Sequence, residues 1–463
     1  MDLAAIGVLF VTPHRYATKP DYPGSQYLYC KHSVPIMKRI ITALLMMAST
    51  MGLSAQEGIW SGELDIQGMK LPLVFNFDAD GCTLDSPSQG VKGIKAEKSY
   101  TPEGKLKVVI PMIGAAYEGV MVMNVISGTY IQNGISLPLT LKPGAPKVNR
   151  PQTPVGPFPY KTEEVTFRNS GYTFHGTLSL PENYGEQTPV VLLVTGSGQQ
   201  DRDETLLDHK PFAVIADALA RQGIASLRYD DRGFNVPSVA FFNFTTHNFK
   251  QDAAAGVDFL RSRFKKVGVI GHSEGGTIAL MLAAEGKADF VVSLAGMAVS
   301  GKETLLWQNR VSLESMGIPQ SELEQYMEVV TRVFDKAVEG RLNTADIAFV
   351  PESLRPVVQQ AMQQLSSLYM QHILTVDVRP LLSSIKCPVL ALNGKKDQQV
   401  QCQANLEAID KGLVNSKHQV VALENLNHLF QHCQTGSIIE YQQIEETFAP
   451  EALQQIITWL KAL

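Results

Sequence analysis

What this chain of 463 residues lacks narrows its function before any motif is weighed. It has no basic bias: 40 Lys and Arg stand against 45 Asp and Glu, a formal net charge of −5, so nothing points to nucleic acid as a partner. It has no glycine-rich phosphate loop, no internal repeat and no long run of like charge. A nucleotide cradle, a stacked-repeat array and a charged interaction tail are therefore set aside. The apolar stretch Ile40–Ala48 is too short to span a bilayer. Cysteine is scarce, at five residues. What remains, 44% hydrophobic and 18% charged, suits a globular protein with a substantial core, and the length suits two folded units.

Residues 37–56 read as a secretory signal: Lys38 and Arg39, then Ile40–Ala48, then small residues at Ser54 and Ala55. No cysteine lies near that cleavage site, so there is no sign of a lipid anchor. Met37 heads the signal, so residues 1–36 are expected to be a mis-assigned start or disordered. Mature protein is expected from about Gln56, outside the cytoplasm and in the periplasm. From 58 to 141, short alternating segments such as Ile59–Ile66, Leu71–Phe77, Leu106–Ile110, Tyr117–Met123 and Ile126–Ile131 predict a small all-β domain, meander or barrel-like. Trp60 and Tyr130 there are read as core, with a ligand shelf as the alternative. Six prolines in 142–161 predict a stiff connector.

From 162 to 463 strands and helices alternate, which predicts an α/β class with a doubly wound, mostly parallel sheet. Pro189–Val194 is a wholly apolar strand suited to the middle of such a sheet. The stretch that organises the rest is Gly271-His272-Ser273-Glu274-Gly275, entered by the strand Val267–Ile270 and left by the helix from Thr277. Its G-x-S-x-G spacing is that of a nucleophile elbow. The serine needs a strained strand-to-helix turn, and the glycines let the backbone fold back there. An acid and a histidine follow in order, each past a strand: Asp397 after Cys387–Gly394, and His428 after His418–Leu423. His418 opens a strand and His432 lies deeper in the next segment, which leaves His428 as the base. Between Gly296 and Lys386 the alternation stops, and Leu305–Met316, Ser321–Val338 and Leu354–Leu368 are helical patterns.

These residues, with Thr195–Glu204, Arg228–Gly233 and Asn427–Gln431, resemble the α/β-hydrolase family over roughly residues 160–463. The closer likeness is to bacterial serine esterases with a small N-terminal β-domain, on the serine aminopeptidase-like form of the fold. The resemblance implies a helical cap at about 299–385. It also implies an oxyanion hole built from the backbone N–H of Glu274 and that of Ser197 or Gly198.

The expected chemistry is cleavage of small-molecule carboxylic esters through an acyl-enzyme. Ser273 is the nucleophile, His428 the base and Asp397 its orienting acid, with no metal or organic cofactor required. Three rivals accompany it. An aminopeptidase or prolyl-type peptidase would hold a substrate amine on Asp201, Asp203 or Glu204. Zinc held by His428 and His432 lacks a third ligand. A non-catalytic protein would use the same pocket to bind an apolar or glycan ligand. Asp231-Arg232 is expected to pin loops beneath the site. Cys402 and Cys433, each five residues past a triad member, allow a disulfide, with two free thiols as the alternative.

Overall fold

The computed structural model describes residues 57–463 apart from 67–68, 80, 88–90, 123, 133, 146–148, 237–238, 316, 344–354, 356–358, 360–361 and 363. The expected signal and early start lie outside these residues. The chain divides into two compact units, one holding the strands from Gly58 to Pro143 and the other running from residue 149 to Leu463.

The first unit is a closed eight-stranded barrel in strict sequential order: β1 (Gly58–Ile66), β2 (Met69–Phe77), β3 (Cys82–Ser86), β4 (Val91–Tyr100), β5 (Leu106–Ile110), β6 (Ala115–Val122), β7 (Val125–Gln132) and β8 (Ile135–Pro143). Antiparallel pairing of β1 with β8, Trp60 opposite Pro143, closes it and removes both sheet edges. Alternation sends one face of each strand inward; in β5, Leu106, Val108 and Ile110 are buried. Trp60, Phe75, Tyr117 and Tyr130 join them in one core cluster, so both candidates for a ligand shelf are core residues. The Tyr117 hydroxyl reaches the Ile126 carbonyl at 3.0 Å, which satisfies a polar tip in an apolar interior.

The second unit is built on an eight-stranded sheet. The hairpin β9 (Lys161–Asn169) and β10 (Tyr172–Leu180) forms one edge, paired antiparallel. Then follow β11 (Val190–Val194), α1 (Pro211–Arg221), β12 (Ala225–Tyr229), α2 (Thr246–Arg261), β13 (Val267–His272), α3 (Glu274–Ala284) and β14 (Val291–Leu294). Beyond the cap come β15 (Val389–Gly394) and β16 (His418–Leu423). The strand order is β16-β15-β14-β13-β11-β12-β10-β9, parallel from β16 to β12. Central strands β11, β13, β14 and β15 are buried on every residue, as a sheet covered on both faces requires. The strand order reverses beside β11 and β13, where α/β sheets open a crevice at the carboxyl ends of their strands.

Between β14 and β15 the alternation is interrupted, as the sequence pattern predicts. The helices described there are α4 (Gly301–Ser315), α5 (Gln320–Val338), α6 (Leu368–Thr375) and α7 (Arg379–Leu382). About half of the pattern Leu354–Leu368 falls outside the described residues. Tyr326, Met327 and Phe334 of α5 are buried in the main core cluster, which makes them packing residues. Two more helices complete the unit, α8 (Cys402–Gly412) and α9 (Pro450–Lys461). Arg150 and Gln152, within the proline-rich stretch, hydrogen-bond into this unit at the carbonyls of Leu207, Gln442, Ile444 and Phe448.

Candidate active site

Ser273 lies between β13 and α3 at φ 54°, ψ −119°. A non-glycine residue at positive φ is costly, and such strain is how an elbow lifts its side chain clear of the sheet. The flanking glycines are obligatory on steric grounds. A Cβ on Gly271 would stand 1.9 Å from the Gly275 carbonyl oxygen, and one on Gly275 would stand 2.1 Å from that of Val194. The amide of Ser273 donates to Leu294 O at 2.8 Å, fixing the turn to the neighbouring strand.

The residues expected as acid and base lie within hydrogen-bond distance of each other. His428 Nδ1 lies 2.7 Å from Asp397 Oδ2, and both side chains are buried. Asp397 Oδ1 accepts from the amides of Gln399 and Val400 at 2.7 and 2.8 Å, so both carboxylate oxygens are committed. The loop carrying the histidine is shaped by its neighbours. Asn427 Oδ1 accepts from the amides of Leu429 and Gln431, an Asx-type turn around His428. Gln431 returns to Asn427 Nδ2 at 3.0 Å and reaches His209 at 3.1 Å. Burial pushes the His209 imidazole down to about 4. Ser273 is buried on the elbow, and the ring of its neighbour His272 stands 4.7 Å from that of His428. Among the described residues no hydrogen bond joins Ser273 Oγ to His428; catalytic hydrogen bonds commonly tighten only around substrate.

Two other carboxylates in the same part of the chain point elsewhere. Glu424 pairs with Lys395, and Asp410 with His418 Nε2 at 3.1 Å. His432 is held by Glu446 and Glu451, each at 2.9 Å, so it does not share a ligand position with His428. Cys402 and Cys433 are both free thiols. Cys402 faces the Asn393 carbonyl and Cys433 that of Asn425, so the two loops run together while their thiols diverge.

The loop expected to supply the second oxyanion donor is Thr195–Glu204. The Gly196 amide donates to Glu204 Oε1 at 2.7 Å and is thereby unavailable to substrate. That leaves Ser197 and Gly198, the two amides expected from the resemblance. Asp231 fastens the loop from below, accepting from Thr195 Oγ1 at 2.9 Å and Gln200 N at 2.9 Å. Burial pushes the Asp231 carboxyl well above the usual range. Arg232 turns away to a buried pair with Asp252, Nε to Oδ2 at 2.6 Å, sandwiched by Tyr172 and Phe244. Both halves of Asp231-Arg232 thus brace loops.

The acidic run after the oxyanion loop is spent internally. Asp201 Oδ1 accepts from the amides of Asp203 and Thr205. Arg202 forks onto Asp230 and reaches Glu164. Asp203 pairs with Arg228 and Lys210. Glu204 is buried against His272 Nδ1 at 2.9 Å.

One partner was invisible in the sequence. The side chain of Glu274, whose backbone N–H is the expected oxyanion donor of the elbow, meets Tyr369 Oη of α6 at 2.7 Å. Burial raises this carboxyl, with the hydroxyls of Thr246, Tyr369 and Ser197 opposing the rise.

A strained serine after a central parallel strand, a buried Asp–His pair past the next strands and a helical cap define a member of the α/β-hydrolase superfamily, here preceded by a small β-barrel. Within it, residues 170–428 match the model of the X-Pro dipeptidyl-peptidase (S15) family, more than half of the chain, and the chain belongs to that family. It is similar to Esterase EstD of Thermotoga maritima, 32% identical over 187 residues, 40% of this chain and 43% of that protein. The match thus spans less than half the length of that relative. Among solved structures, an esterase of Pyrococcus furiosus is 16% identical with a TM-score of 0.42, covering 69% of this chain and 99% of that one. Proline iminopeptidase of Mycobacterium smegmatis is 14% identical with a TM-score of 0.41, covering 65% of this chain and 98% of that one.

Proposed function

We propose that this chain is a serine hydrolase that cleaves carboxylic esters through an acyl-enzyme. The observation that carries the reading is the buried Asp397–His428 hydrogen bond at 2.7 Å beside a serine held at φ 54°. His428 Nε2 takes the Ser273 Oγ proton as Oγ attacks the ester carbonyl carbon. Asp397 keeps the imidazole in the tautomer with Nδ1–H and stabilises the cation that forms. The amides of Glu274 and of Ser197 or Gly198 receive the developing oxyanion, each such donor being worth about 3 kcal/mol in a serine hydrolase. The proton then passes from His428 to the departing alcohol. Water, deprotonated by the same imidazole, releases the acid and restores Ser273.

Ester rather than peptide is favoured by the spent acidic run: Asp201, Asp203 and Glu204, the groups suited to a substrate amine, are engaged within the loop itself. The name of the Thermotoga maritima relative agrees with an esterase. The description of the matching family supports the second reading, a peptidase acting after proline. Nitrophenyl esters assayed beside aminoacyl-prolyl nitroanilides separate them. Ester turnover at least about 100-fold above anilide turnover, abolished in Ser273→Ala, is the expected result; the reverse preference makes the chain a peptidase.

The place of action proposed is the periplasm, supported by the signal pattern at 37–56. No helix of the described residues is long and apolar enough to cross a membrane. N-terminal sequencing of the native protein tests this: a start near Gln56 is expected, and an intact Met1 would overturn it.

A further inference from the structure

Three loops that must agree for acyl transfer meet at one buried pair, Glu204 and His272. His272 precedes Ser273, and its ring looks away along two contacts. Nδ1 lies 2.9 Å from Glu204 Oε1, and Nε2 lies 2.9 Å from the backbone oxygen of His428. The same Glu204 Oε1 accepts from the Gly196 amide at 2.7 Å. A carbonyl oxygen only accepts, so Nε2 carries its proton. Another proton lies between Nδ1 and Oε1, because a ring nitrogen and a carboxyl oxygen approach to 2.9 Å only by sharing one. Such a contact belongs to the strong, charge-assisted kind.

The fold accepts two costs at Glu204. Its backbone sits in the left-handed region at φ 54°. Its Oε2 has no hydrogen-bond partner among the described residues and stands by a small cavity walled by Phe212, Leu294, Leu429 and Phe448. All the polar contact of this carboxyl runs through Oε1, to the oxyanion loop on one side and to the elbow on the other. Through His272 it continues to the main chain of the base.

We propose that Glu204 and His272 are positioning residues for the reaction. The pair draws the Gly196 amide out of the oxyanion hole, so that Ser197 and Gly198 present theirs, and it tethers the main chain of His428 at a set distance from Ser273. The inference rests on the reading of Ser273 and His428 as nucleophile and base. A displacement of about 1 Å at such a site costs on the order of 100-fold in rate.

The test compares kcat and KM for a nitrophenyl ester in Glu204→Gln, His272→Ala, His272→Gln and the double variant Glu204→Gln with His272→Ala, each checked for native circular dichroism. A glutamine amide reaches where Nε2 stood and can donate to His428 O. The expected results are a kcat lowered about 10–100-fold in Glu204→Gln and His272→Ala with KM within about 3-fold. His272→Gln recovers part of the loss. The double variant is no worse than His272→Ala, because the two residues act as one unit. Wild-type kcat in both single variants, a loss confined to KM, no recovery in His272→Gln, or additive losses would each overturn the proposal. So would an unfolded Glu204→Gln, which would make the pair structural. Ser273→Ala assayed alongside separates the two layers. Full turnover in that variant sinks the nucleophile assignment. An inert Ser273→Ala beside unaffected Glu204→Gln and His272→Ala sinks the positioning pair alone.

Discussion

Tyr369 Oη stands 2.7 Å from Glu274 Oε2, so a residue of the cap bonds the residue that follows Ser273. Tyr369 also packs on Phe241, ring centroids 4.2 Å apart, which seats α6 against the loop before α2. Burial raises the Glu274 carboxyl, and the sign of its effect on stability follows. A carboxyl raised in the folded state favours folding below the ordinary carboxylate range, and this contribution is lost as pH rises through the folded value. Glu274→Gln should therefore gain stability relative to wild type as pH rises from about 4 to neutrality. Tyr369→Phe should lose about 1–3 kcal/mol by leaving the carboxyl without that donor. Urea unfolding at several pH values reads both; a Glu274→Gln difference that does not change with pH contradicts the first.

Asp397→Asn should lower kcat by about 10⁴-fold with the fold intact. The amide oxygen of asparagine can still accept from the Gln399 and Val400 amides, which directs its NH2 group at His428 Nδ1. The imidazole must then carry its proton on Nε2, the nitrogen that has to receive the serine proton. Near-normal turnover in this variant would show that another carboxylate is the acid.

His209 should make the protein acid-sensitive at a defined pH. It is buried, with Nδ1 3.0 Å from Thr447 Oγ1 and Nε2 3.0 Å from Tyr441 O, and burial pushes it down to about 4. A histidine depressed in the folded state adds stability that is complete above its unfolded value and lost as pH falls through the folded one. The window is about pH 6.5 to 4, and the loss is on the order of 3 kcal/mol. Since Gln431 links His209 to the turn around His428, activity should fall with it. Thermal melts across that window, in wild type and His209→Asn, check this: the variant should show a flatter dependence, and an unchanged slope would assign the loss to other groups.

How far the sequence reached follows from where each signal is local. The elbow was legible because its sterics act within five residues, Gly271 to Gly275. The sheet was legible because buried parallel strands such as Val190–Val194 are apolar throughout. Strand β4 escaped notice because only Ile94 of its ten residues is fully buried, and its three lysines and one glutamate read as loop. The contacts of Glu204 with His272, and of Glu274 with Tyr369, join residues 68 and 95 positions apart and leave no local trace. The suggested Cys402–Cys433 bridge went astray for a related reason. Order along the chain brought the acid and base loops together, while thiol direction depends on Cβ vectors that only the fold sets.

The most direct test of the account is covalent labelling of Ser273. Wild-type protein treated with a fluorophosphonate should take up one equivalent, with peptide mapping placing the adduct on Ser273 and ester turnover falling in proportion. Ser273→Ala should take up none and hydrolyse no ester while unfolding at the wild-type temperature. Labelling at another serine, or full ester turnover after stoichiometric modification of Ser273, would contradict it.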